Sequence, residues 1–69
     1  MYAIVETDAN GRMPKNPDDR CYLNHSCLNS MSFGSPDMAW ATESRLEAEG
    51  MLSRVKKKHG SRNARIVQL

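Results

Sequence analysis

Sixty-nine residues, 39% apolar and 26% charged, make one small domain spanning residues 1–69 and leave no room for a second core. A net charge of +2 is low for a dedicated nucleic-acid binder and has the wrong sign for an acidic mimic of DNA. No apolar run approaches a membrane span and no signal-peptide pattern opens the chain, so a cytoplasmic location without membrane contact is expected.

Tyr2-Ala3-Ile4-Val5-Glu6-Thr7 is β-branched and aromatic, and the turn-forming Asp8-Ala9-Asn10-Gly11 follows it; residues 2–7 are predicted as a strand. Residues 13–19 hold two prolines and two aspartates and read as loop. Arg20-Cys21-Tyr22-Leu23-Asn24 is a short strand candidate, antiparallel to the first. Residues 25–37 are rich in Ser and Asn; alternation suggests a weak strand near 27–32, with a turn at Gly34-Ser35-Pro36-Asp37. Met38-Ala39-Trp40 then leads into a helix over 43–59.

That helix has Thr42 as its expected N-cap and Ser44 with Glu47 as an alternative capping box. Lys56, Lys57, Lys58 and His59 fill the last turn, where the helix dipole favours cations, and Gly60 stands at the left-handed C′ position. Ala64-Arg65-Ile66-Val67-Gln68-Leu69 is the last strand. The expected class is α+β: a small antiparallel or mixed sheet of three to four strands with one long helix packed across it, in the order β-β-(β)-α-β. If the segment before the helix pairs parallel with the last strand, the helix supplies the crossover.

Helical rotation of 100° per residue puts Ala48, Met51, Leu52, Val55 and His59 on one stripe about 100° wide, which should face the sheet. The expected core also takes Tyr2 or Ile4, Val5, Leu23, Trp40, Ile66 and Val67. Leu46, Gly50 and Ser53 lie on the opposite side. A lone exposed leucine is ordinary, and a mid-helix glycine costs about 1 kcal/mol against alanine. The functional alternative is a flat patch that admits another backbone, with Leu46 as apolar anchor and Gly50, Ser53, Arg54 and Lys57 as its surround. Its occupant would be another protein or a second copy of this chain.

Cys21, His25 and Cys27 include metal-ligand types, but the spacing is wide and only His59 remains as a fourth ligand. No metal or other cofactor is expected, and the two cysteines read as small buried thiols. A Cys27–His25 nucleophile pair lacks an orienting group and a concavity, so no enzyme is expected. Lys56, Lys57, Lys58, Arg62 and Arg65 form the basic cluster. Charge complementarity at a helix end accounts for much of it; phosphate contact is the alternative, though no aromatic residue is interleaved to stack on bases.

The opening MYAIVETDANGR, the central MAWATESRLEAEGMLSRVKKK and the closing ARIVQL resemble the short open reading frames of phages and prophages. That group includes anti-CRISPR proteins and other inhibitors of host machinery. The resemblance is architectural: an opening strand, a meander, a capped helix and a terminal strand. It implies a binding protein that inhibits a host complex by protein–protein contact. The alternatives are a nucleic-acid-binding or regulatory accessory protein using the basic helix end, and a virion assembly protein.

Overall fold

Tyr2–Glu6 forms β1, the strand around which the rest of the chain is arranged. In the computed structural model, residues 1–60 and 63–69 are described. The remaining strands are β2 (Tyr22–Leu23), β3 (Phe33–Gly34), β4 (Ala41–Thr42) and β5 (Ala64–Gln68), and the one α-helix is α1 (Arg45–Lys58). This is the expected α+β class, with five short antiparallel-paired strands in place of three or four.

β5 pairs with β1 along its whole length, with Ile4 opposite Ile66. The other edge of β1 is shared: Val5 faces Tyr22 of β2, while Ala3 and Tyr2 face Ala41 and Thr42 of β4. A straight continuation of β2 would bring residue 24 opposite Ala3. Ala41 holds that place instead, so residues 24–40 leave and rejoin a single strand line without a change of register. The departure and return are stitched by Trp40 N–H donating to the Leu23 carbonyl at 2.7 Å and His25 N–H donating to the Met38 carbonyl at 3.0 Å. β4 and β5 both run antiparallel to β1 on its two sides. They are therefore parallel to each other, and α1 is the crossover between them.

Ala3, Ile4 and Val5 are all fully buried, so β1 is covered on both faces. Ile4, Leu23, Met31, Met51 and Val55 form the core under α1, with Phe33, Trp40, Leu52 and Ile66 half-buried against it. On the other face Ala3, Val5 and Tyr22 pack together, and Met13 and Val67 close over them. The loop that carries Met13 is held down by Arg20, whose Nε donates to the Pro14 carbonyl at 2.7 Å. The expected core therefore holds for Ile4, Val5, Leu23, Ala48, Met51 and Val55. Ala3, Tyr22, Met31 and Thr42 join it.

Several local expectations change. Ser44, not Thr42, caps the helix: its Oγ accepts from Glu47 N–H at 3.2 Å. Thr42 is held in β4, where its buried Oγ1 accepts from Ser44 N–H at 3.2 Å. Pairing with β1 is what keeps residue 42 extended, and the helix starts at Arg45 instead of residue 43. At the other end His59 is the C-cap and its N–H returns to the Val55 carbonyl at 2.8 Å. Gly60 has no left-handed φ; among the described glycines only Gly11, at 79°, does. Residues 27–32 are turn, not strand: Asn24 Oδ1 accepts from Ser26 N–H, and Cys27 N–H donates to the Asn24 carbonyl, which curls the chain before it can extend. The strand comes later, at Phe33–Gly34, and a 3-10 turn over Pro36–Met38 replaces the expected simple turn.

Candidate binding surface

α1 begins after Ser44 and lays Ala48, Met51 and Val55 on the sheet, which fixes the direction of every other side chain on it. Leu46 is 79% exposed. Gly50 is exposed, and a Cβ built on it meets nothing within 4 Å. Ser53 is exposed beside them. The fold thus asks for neither the leucine nor the glycine. At this N-terminal end Arg45 is occupied: its Nε lies 3.5 Å from Glu49 Oε1 and its guanidinium sits 5.9 Å from the Tyr2 ring centroid.

Further along, α1 turns its Arg54, Lys57 and Lys58 toward the loop after β2. Together with Leu28, Asn29 and Met31 they line a cleft of about 490 Å³. The loop wall is set by two features. Met31 takes a left-handed φ of 54°, which drives its side chain into the core while the backbone turns. His59 Nε2 lies 2.9 Å from the Ser30 carbonyl oxygen, tying the loop to the end of the helix. Among the described residues, no carboxylate pairs with Arg54, Lys57 or Lys58. Their positions four residues earlier are Gly50, Ser53 and Arg54, so the helix offers them no carboxylate there; among the described residues Arg54 Nη1 donates only to Met51 Sδ, at 4.0 Å.

The residues singled out in the sequence separate into groups. Leu46, Gly50 and Ser53 make an open helix face, and Arg54 and Lys57 connect it to the cleft. Lys58 joins them there, whereas Lys56 is exposed but does not line the cleft. Arg65 lies opposite Val5 in β5 and alternates with Ile66, which places it on the sheet face away from α1. Arg62 lies outside the described residues. The sequence offers the loop 25–37 only as the fallback interface if the helix patch is incidental, and does not single out Leu28, Asn29 or Met31 within it. The Ser/Asn-rich stretch signals turns, but nothing in it marks which side of the fold they meet.

Cys21 is exposed rather than buried, because it sits just before β2 at the end of the proline-containing loop; Cys27 is half-buried, and both are free thiols. Among the described residues, no group of three His, Cys, Asp or Glu side chains is placed to hold a metal ion. No described helix is long and apolar enough to cross a membrane. No protein-family model matches the chain, and neither a curated protein nor a solved structure is found to be similar to it.

Proposed function

We propose that this chain is a binding protein that acts by occupying a surface of a host protein complex, with α1 as the face it presents. The observation that carries the reading is the outer side of α1. Leu46 leaves most of its apolar area in water, and Gly50 gives up helix stability where the fold leaves open space above it. Both choices make sense when a second surface packs there, with Gly50 admitting close approach and Leu46 as anchor. Inhibition of host machinery, in the manner of anti-CRISPR and related phage proteins, is the activity that the sequence resemblance adds to this reading. The mechanism is steric, with no covalent chemistry.

The experiment is capture from host lysate with the parent chain, Leu46→Asp and Gly50→Arg, with and without nuclease. Both substitutions fall on exposed positions and should leave the fold intact, with Gly50→Arg at least as stable as the parent because the helix gains propensity. A nuclease-resistant protein partner held by the parent and lost by both variants is the expected result. A partner retained by both would remove α1 from the interface. Sedimentation of the same three proteins distinguishes a homodimer through this face, whose mass would fall in both variants.

A second reading, contact with nucleic-acid phosphates, is favoured by the convergence of Arg54, Lys57 and Lys58. It requires binding that weakens with salt at a log–log slope of about −0.9 per phosphate contacted on duplex DNA. Loss of the captured material on nuclease treatment would favour it.

A further inference from the structure

We infer that the cleft between the C-terminal half of α1 and the loop after β2 receives an acidic segment of a partner protein that carries an apolar side chain. This rests on the reading of the chain as a protein-binding module and names the chemistry of what it grips.

The cleft combines features that a helix end alone does not need. Cations in the last turn are expected from the helix dipole, and Lys57 and Lys58 fit that account. Arg54 lies a turn earlier, and the floor is Leu28 and Met31, which dipole complementarity does not explain. The three cations share one concavity with no carboxylate from the described residues to neutralise them. Crowding like charges beside apolar surface is unfavourable in the isolated chain and is relieved by a ligand of opposite charge. The walls are preformed: the Ser30 carbonyl is tied to His59, Ser30 Oγ lies 2.9 Å from Ser32 Oγ, and Met31 is anchored in the core. A preformed wall loses little conformational freedom on binding.

The apolar floor selects a peptide over a polynucleotide. A nucleic-acid groove offers aromatic faces on which bases stack, and none of Tyr2, Tyr22, Phe33 or Trp40 lines this cleft. Two or three carboxylates flanking a leucine or methionine satisfy both the rim and the floor. The volume lies within the range of small-ligand clefts, so a few side chains, not a whole domain, enter it.

The test is fluorescence anisotropy at low salt with a labelled peptide containing a Glu-Glu-Leu-Glu-Glu core. Controls are the same peptide with Gln for every Glu, the same peptide with Ser for Leu, and an unlabelled single-stranded oligonucleotide as competitor. The protein variants are Arg54→Gln with Lys58→Gln, and Leu28→Ser. Saturable binding of the acidic peptide is expected, about three- to tenfold weaker in the double charge variant, as two exposed ion pairs allow. Binding should weaken with the Gln and Ser peptides and with Leu28→Ser, and thermal midpoints of the charge variant should match the parent. No saturable binding, equal binding of the Glu and Gln peptides, or an undiminished double variant overturns the inference. So does displacement by the oligonucleotide at lower concentration than by unlabelled peptide. The titration uses only purified chain and peptide, so its failure leaves the host-complex reading to be decided by capture. Capture that fails while the peptide binds sinks that reading and spares the cleft.

Discussion

The ring of His59 and the carbonyl of Ser30, 29 positions apart in sequence, meet at 2.9 Å. The contact joins the last turn of α1 to the loop whose neighbouring residue, Met31, plugs the core. It is the fastening that makes the cleft wall part of the helix end.

His59→Ala should therefore cost about 0.5–1.5 kcal/mol in urea denaturation, the range of one net hydrogen bond. The informative readout is local. Amide exchange at Ser32, whose N–H reaches the Cys27 carbonyl at 3.4 Å, should accelerate more than exchange at Ile4. Uniform acceleration would mean that the contact stabilises the whole domain and does not specifically hold the loop.

The helix start gives a comparison between two capping schemes. Ser44→Ala removes the side chain that accepts from Glu47 N–H and should cost about 1 kcal/mol. Glu43→Gln alters the residue that a Thr42 cap would have placed in the first turn, and should cost almost nothing. Chemical denaturation of the two variants side by side checks the order; the reverse order would put the cap back at Thr42.

Three apolar truncations should rank by burial. Ile4→Ala empties a fully buried site and should cost about 2–5 kcal/mol, enough to unfold much of so small a domain. Leu52→Ala should cost less, because Leu52 is only half-buried at the core margin. Leu46→Ala should lie within about 0.5 kcal/mol of the parent. A Leu46 effect as large as that of Leu52 in dilute protein would show that its face is already covered in solution.

Gly50→Ala should raise stability by about 0.5–1 kcal/mol, since the added methyl meets open space and the helix gains propensity. Thermal melts measure it. A destabilised variant would reveal a packing demand on this face within the monomer.

The long elements were legible in the sequence because each has a local cause. β1 is a β-branched run followed by turn residues, β5 is built around Ile66 and Val67, and α1 has a cap, a buried stripe and a cationic end. The core stripe on α1 followed from rotation alone. The middle of the chain was not legible. The return of Ala41 to the place after β2 depends on β1 as a template, and no property of residues 24–40 encodes it. Met31 adopts a conformation usually left to glycine, so the turn carries no glycine to announce it. Burial of β1 on its second face depends on Met13, which lies in a proline-containing loop with no periodicity. The open face of Leu46, Gly50 and Ser53 could be derived from angles. The cleft could not, because its loop wall comes from the segment whose path was hidden.

The rejoining of one strand line by residues 24–40 has a consequence for how such a chain can diversify. An excursion that leaves and returns at adjacent stations can lengthen or shorten without moving β1, β4 or the seat of α1, and each doubling of a flexible loop's length costs only about 0.6 kcal/mol. Leu28, Met31, Phe33, Ala39 and Trp40 pack against the two cores and Gly34 pairs with Tyr22; the other residues of the excursion carry fewer internal demands. The loop wall of the cleft can then change by insertion and deletion while the scaffold keeps its register. Variation can be confined to one segment of the chain, with the folding problem already solved by the rest.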